Sequence, residues 1–388
     1  WITTNKPLII LFQISLVTTA LYTLLSYLTA NNKLNEKELR LFKILFLISF
    51  SWISIHYALS PYTIALSLLI IALVFLAKSL NENSLKRTWV FLLISAMSYG
   101  IMLNFRSDYL YFSILIGIVT IWYSGWKKGS LLFCSWMILI IMCLTPWAIY
   151  TNKTVNEYLL TSTNTGHVLY IGLGDLPNNK WGIVANDNDT RMLNEIREEF
   201  GEEANSLKHE ENIFLKKRFL KLIVEEPSEY IKKIIFSFSR AIISGIYVPE
   251  FHNMLSDCFI TNPQTGLRVE NCKKMFVSDI LNKPIVSLFE SFKKFFIYGL
   301  SYFSILTGIV LLLAGLISLP VAILKAFPQK NVFIILCGLV FIYQLAINSL
   351  AYQMVLYSTN SYLYGLILTA SVTSFWQSIW HKIKANLG

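Results

Sequence analysis

Nothing limits the folds open to this chain more than its apolar runs. They recur in stretches of about 18 to 25 residues with few charges, the length a helix needs to cross a bilayer. In lipid every backbone polar group must find its partner within the spanning structure, so only helices and closed barrels can cross. Unbroken apolar runs, rather than alternating ones, select the helix. Of the 388 residues 55% are hydrophobic and the mean hydropathy is +0.54. The expectation is an all-α polytopic membrane protein. Ten Trp, 20 Tyr and 26 Phe suit that class, because aromatic rings gather at membrane interfaces. The net charge of +10 does not indicate a nucleic-acid partner, since the basic residues sit mostly in short loops between apolar runs.

Nine spans are expected, at about 8–29, 41–58, 62–80, 89–105, a fifth running back to Trp126, Lys127 and Lys128, then 130–149, 296–324, 331–350 and 361–379. Short loops with Lys33, Lys37, Arg40, Lys78, Lys86, Arg87, Lys127, Lys128, Lys325 and Lys330 then fall on one face, which the positive-inside rule makes cytoplasmic. The resulting division is a six-span bundle over 1–150, an extracytoplasmic region over 151–290 and three spans over 291–388. A bacterial inner (cytoplasmic) membrane is the expected location. The pattern puts Trp1 on the outer side with no signal peptide visible before the first run, so the chain reads as an internal piece of a longer protein.

The segment 151–229 holds most of the chain's 23 carboxylates and is too polar for lipid. Asp189 or Thr190 is placed to cap a helix beginning near Arg191. A second helix should bury a face made of Phe214, Leu215, Phe219, Leu220, Ile223 and Val224. Pro227 suits the first turn of a third helix, about 227–246. Its Lys232, Lys233 and Arg240 among apolar residues suggest an amphipathic helix in the outer interface, with these cations on lipid headgroups. Cys258 and Cys272 flank a turn signal in an outer loop, where disulfides persist, and are expected to pair. Cys134, Cys143 and Cys337 lie in spans and read as small apolar fillers.

Where the sixth span gives way to this region the sequence reads LTPWAIYTNKTVNEYLLTSTNTGHVLYIGLGD, from Leu144 to Asp175. Pro146–Trp147 close the apolar run. A loop rich in short donors follows, with Ser162, Thr163, Asn164, Thr165 and Gly166, then His167, and an aromatic–glycine turn through Tyr170, Gly172 and Gly174 to Asp175. This stretch resembles the outer loop of bacterial membrane glycosyltransferases of the protein mannosyltransferase and lipid A aminoarabinose transferase type. The helix with Pro227 and Tyr230, and Tyr99–Gly100 leading to Arg106, resemble further pieces of that family.

The resemblance implies a GT-C-like transmembrane helix bundle with an extracytoplasmic, mostly helical insertion. It implies inverting transfer of a sugar from a polyprenyl-phosphate donor to a glycan, lipid or protein acceptor, with membrane lipids as further partners. The family's catalytic base is an aspartate in the first outer loop, so it is expected before Trp1. Arg106 reads either as a snorkelling anchor or as a contact to the donor phosphate, and Asp108 as its ion-pair partner. Lys232, Lys233 and Arg240 are further donor-phosphate candidates. Ser162, Thr163, Asn164, Gly166, His167, Tyr170 and Asp175 are substrate-loop candidates, although serine and asparagine also shape loops by bonding their own backbone. The five histidines lack ligand spacing, which argues against zinc and leaves room for a divalent cation held by carboxylates. A transporter or flippase of an envelope precursor, and a non-catalytic envelope assembly protein, are the alternative classes.

Overall fold

The computed structural model describes residues 6–30, 34–48, 61–161, 164–204, 206, 208–243, 259–261, 268–270, 286–351 and 355–387; for 286–305 and 355–360 it gives the course of the helix only. Among the described residues, six helices are long and apolar enough to cross a membrane. They lie within α1 (Lys6–Ala30), α3 (Pro61–Asn81), α4 (Leu85–Phe105), α6 (Trp126–Val155), α11 (Val286–Ala326) and α12 (Val332–Leu350). The chain is a multi-pass helical membrane protein.

The other three expected spans fall short of that length among the described residues. In the first, α2 (Glu36–Ile48) leads into residues outside the description. The second, α5 (Phe112–Ser124), has 13 residues behind a 3-10 turn at Ser107–Leu110. The last expected span, 361–379, straddles a break: α13 (Val355–Ser371) ends and α14 (Thr373–Leu387) begins around Val372. At that break Lys325 Nζ donates to the Ser371 carbonyl at 2.7 Å.

The most enclosed spans are α3 and α12, 83% and 72% buried, whereas α1 and α6 are 22% and 28% buried and face outward. A helix apolar on every side can occupy the centre, and α3 is buried almost without interruption from Ala65 to Leu80. It packs along α4, which in turn packs on α6. Ser95 joins all three: its Oγ donates to the Ala72 carbonyl at 2.8 Å and accepts from Trp136 Nε1 at 3.1 Å. Bonds of this kind contribute about 0.6 kcal/mol each in a membrane bundle. In the C-terminal half α11 meets α13 through glycines, and a Cβ on Gly315 would lie 2.9 Å from the Gly365 Cα.

Basic connections collect at one end of the bundle. There Tyr123 at the end of α5 donates to Asn81 Oδ1 at the end of α3 (2.6 Å), and the Trp122 ring packs tilted against Phe327 in the α11–α12 turn, 4.4 Å between centroids. Lys325 pairs with Glu38 at 2.5 Å. Glu38 also closes a reciprocal cap with Asn35, accepting from the Asn35 N–H at 2.8 Å while Asn35 Oδ1 accepts from the Glu38 N–H at 3.0 Å.

The opposite, polar end carries the segment after α6. This helix does not stop at Pro146–Trp147, as the apolar run suggests, but continues to Val155 and ends on Asn156 in the left-handed conformation (φ 59°). Proline removes one donor without forbidding helix beyond it. Next come α7 (Thr165–Gly172) with a 3-10 turn at Leu173–Asp175, α8 (Thr190–Phe200), α9 (His209–Glu225) and α10 (Pro227–Ile243). Asp189 caps α8 as expected, accepting from the Met192 N–H at 2.8 Å. Pro227 opens α10 as expected, and the helix is described as far as Ile243.

These helices enclose a second core of Tyr170, Ile171, Leu173, Trp181, Ile183, Met192, Ile196, Leu215, Phe219 and Leu222. The buried face of α9 is Leu215, Phe219 and Leu222, flanked by Phe214 and Ile223; Leu220 and Val224, expected in it, are exposed. Beyond α10, β1 (Phe259–Thr261) and β2 (Arg268–Glu270) form an antiparallel ribbon, Phe259 opposite Glu270 and Thr261 opposite Arg268. Cys258 and Cys272 lie outside the described residues, as do Ser162 and Thr163.

Candidate functional site

A cleft of about 380 Å³ opens at the polar end, between the bundle and the helices above it. Its floor begins where α4 stops. Arg106 leaves helical geometry (φ −142°) and its guanidinium folds back on Asp108, Nε to Oδ1 at 2.8 Å and Nη2 to Oδ2 at 2.6 Å. The predicted pair therefore forms, as a planar two-bond fork. It is fixed from three sides. The guanidinium carbon lies 5.0 Å from the Tyr62 ring and 5.7 Å from that of Tyr109. Tyr99 donates to the Tyr109 carbonyl at 2.6 Å, and Tyr343 on α12 donates to the Asp108 carbonyl. Arg106 is only 8% exposed yet lines the cleft, so it is an enclosed cation rather than a side chain trailing into water.

The facing wall is the start of α7. Asn164, Thr165, Val168 and Leu169 line it, so Arg106 and the Asn164 end of the substrate-loop segment border one cavity. This segment was expected to be a loop and is a helix, because its glycine lets it approach α9 closely. The Gly166 N–H donates to Asn212 Oδ1 at 2.6 Å, and a Cβ on Gly166 would stand 1.9 Å from the Asn212 carbonyl oxygen. The other candidates there do not line the cleft. His167 is 5% exposed and contacts Asp187 Oδ1 through Nε2 at 3.0 Å. Tyr170 is in the second core, and Asp175 is wholly buried.

Asp175 belongs to a cluster on α10. Ser237 Oγ donates to its Oδ2 at 3.3 Å, Lys233 Nζ lies 3.6 Å from Oδ2, and Arg240 Nη1 lies 3.7 Å from Oδ1. Lys233 also donates to the last carbonyls of α12: Ser349 at 2.8 Å, Leu350 at 3.3 Å and Ala351 at 2.5 Å. A helix leaves its final carbonyls without intrahelical donors, and one ammonium satisfies three of them here. Lys233 is 0% exposed, so its expected contact with lipid headgroups is corrected: the face of α10 that carries it packs on α12. Burial pushes the ammonium pKa down to about 8, against the opposing pull of Asp175. Lys232 is exposed beside Glu229 at 3.3 Å, and Arg240 is partly exposed.

The α12 end that Lys233 caps supplies the remaining wall, through Ile347, Asn348 and Ala351. Lys233 thus ties that wall to the turn closing α7, by way of Asp175. Lys216 of α9 reaches into the same cavity and brings a second cation. Lys216 is one of several lysines on an amphipathic helix, and no sequence signal separates it from Lys217 or Lys221. Asn348 did carry a signal, a buried amide in an apolar run, since polar residues within spans tend to be functional. Away from the cleft, burial alone would raise the Glu195 carboxyl, but hydrogen bonds from Arg218 and Arg191 outweigh it and hold the group below the usual range. Among the described residues no three His, Cys, Asp or Glu side chains gather as a metal site.

Fold and cleft together define a multi-pass helical membrane protein with an amphiphilic cavity at one end of its bundle. No family model, curated protein or solved structure matches the chain.

Proposed function

We propose that this protein is a glycosyltransferase that takes a sugar from a polyprenyl-phosphate donor at the outer face of a bacterial cytoplasmic membrane. The observation that carries the reading is the composition of the cleft. Two cations, Arg106 and Lys216, the carboxylate of Asp108 that pairs with Arg106, and the neutral polar side chains of Ser107, Thr161, Asn164, Thr165 and Asn348 share it with Tyr62, Phe105, Leu110, Val168, Leu169 and Ile347. A phosphate on a long apolar chain needs both kinds of lining, and it needs them at the bundle end, where chain and headgroup part.

In transfer, negative charge grows on the phosphate as the bond to the sugar breaks. Preorganised cations in a water-poor site stabilise that charge most. Arg106 is held by its fork with Asp108 and by two rings, so it loses little freedom on meeting the phosphate. Asp108 is the carboxylate among the lining residues, and both its oxygens are engaged by Arg106. The general base that deprotonates the acceptor is then a carboxylate from elsewhere, as the family resemblance implies. Tyr99, Phe112 and Phe341 are fully buried, the packing of a core rather than the lining of a conduit, and this suits a transferase.

The test is retention of lipid by the protein in nanodiscs, read by native mass spectrometry. Undecaprenyl phosphate should be held and undecaprenol should not. Lys216→Ala and Arg106→Ala should each weaken retention about tenfold or more, the scale of one charge-assisted hydrogen bond. Equal retention of alcohol and phosphate, or wild-type retention in both variants, would refute the assignment.

A further inference from the structure

The α9–α10 elbow carries an apolar face that neither core uses. On α9, Ile213, Leu220 and Val224 fall on one stripe opposite Leu215, Phe219 and Leu222; on α10, Ile231 and Ile235 fall opposite Lys233 and Ser237. All five apolar side chains are between 42% and 79% exposed. Isolated exposed apolar residues are ordinary, but five on two consecutive helices make a face.

The height of this face is fixed. Lys233 and Tyr230 both bond the Leu350 carbonyl, at 3.3 Å and 3.0 Å, so the first turns of α10 sit level with the end of the α12 span. That level is the boundary between hydrocarbon and headgroups. Ile231 and Ile235 lie at this height on the side of α10 turned from the bundle. The α9 stripe adjoins the same boundary, because Lys216 on its flank reaches the cleft at the bundle end.

Charge follows a matching pattern. Lys216 lies on one flank of the α9 stripe and Lys217 and Lys221 on the other, while Lys232 adjoins Ile231 and Ile235 on α10. Of the neighbouring carboxylates, Glu226 is held by Lys180 at 2.8 Å and Glu229 by Lys232 at 3.3 Å, while Glu225 sits 3.9 Å from Lys221, an exposed pair that leaves the ammonium open to other anions. An apolar stripe between lysines is the pattern of a helix lying in a membrane interface, the stems in the acyl boundary and the ammonium groups at phosphates.

We infer that the α9–α10 elbow is a bilayer-contact surface, with Leu220, Val224, Ile231 and Ile235 in the upper acyl region and Lys217 and Lys221 on phospholipid phosphates. The partner is the lipid surface around the protein, whether or not the chain transfers a sugar. The consequence is that α9, which overhangs the cleft, is steadied from outside by lipid.

Photocrosslinking on the full chain in phospholipid nanodiscs tests this. With benzoylphenylalanine in place of Val224 or of Ile235, the adducts should be phospholipid. The same probe at Glu198 on α8 should give several-fold fewer. Lys217→Glu with Lys221→Glu should reduce the lipid adduct at Val224 several-fold. Adducts to a second copy of the chain or to another protein, or yields equal to those at Glu198, would overturn the inference. An unchanged Val224 yield in the charge-reversed variant would overturn the role given to the two lysines.

Discussion

Replacing Lys233 by Met tests the link between the two cleft walls. The methionine fills a similar volume, so the change is one of charge and hydrogen bonding. It strips three α12 carbonyls, Ser349, Leu350 and Ala351, of their shared donor, at about 1 kcal/mol each. It also leaves Asp175 in the interior without its closest cation; breaking a buried pair costs about 3–5 kcal/mol. Ser237 and Arg240 remain on Asp175, and the cost of burying the ammonium is relieved, so the loss should fall below the sum of those terms, at about 3–5 kcal/mol in all. Asp175→Asn should cost less, because Lys233 keeps its three carbonyls.

Amide hydrogen exchange in nanodiscs separates the variants by place. In Lys233→Met, residues 164–176 and 345–351 should both exchange about a hundredfold faster. In Asp175→Asn only 164–176 should loosen, and α8 should remain as in the wild type in both. The pH response has a definite sign. A lysine whose folded pKa is depressed to about 8 favours folding fully above its unfolded value of about 10.4, and that contribution fades as pH falls through 8. The gap between wild type and Lys233→Met should therefore widen from pH 8 to 10. Wild-type exchange at 345–351 in Lys233→Met, or a larger effect from Asp175→Asn, would refute the reasoning.

Three further outcomes are expected. Gly166→Ala places a methyl 1.9 Å from the Asn212 carbonyl, so α7 must lift from α9; a loss of about 3 kcal/mol or more should appear as protease cleavage between 155 and 190. Glu195, held below the usual carboxylate range once its bonds from Arg218 and Arg191 outweigh burial, contributes stability above about pH 4.3 that is lost as pH falls through its folded value. Glu195→Gln should remove that acid limb from an unfolding curve followed by Trp181 exposure. Cys258 and Cys272 flank strands that pair antiparallel, and thiol titration of oxidised, denatured protein should find three free thiols from five cysteines; five would refute the disulfide.

What could be read from the sequence was governed by nearby residues. Apolar runs located the spans, Asp189 announced the start of α8, Pro227 that of α10, and Arg106 with Asp108 two residues on announced their pair. What escaped was set by residues distant in the chain. Gly166 and its neighbours carry turn-forming composition and become helix only against Asn212, 46 residues later. Lys233 sits in an amphipathic pattern that ordinarily exposes lysine, and its acceptors lie 116 to 118 residues further on. The α9 face was misjudged because its two apolar sides are similar, and only packing on α7 chooses Leu215 over Leu220.

The cap that Lys233 places on α12 also bears on how the chain is assembled. Synthesis runs from the N-terminus, and earlier parts organise first. When α10 has formed, the carbonyls of Ser349 to Ala351 do not yet exist, and the ammonium of Lys233 has Asp175 but no acceptors. When α12 arrives, its own end is incomplete until it docks against α10. Each half therefore holds an unmet polar requirement that the other fulfils, at a membrane boundary where water can stand in only until the two close. A chain cut before Ser349 would leave Lys233 without its three carbonyl acceptors, and the α10 face that packs on α12 would stay open to water.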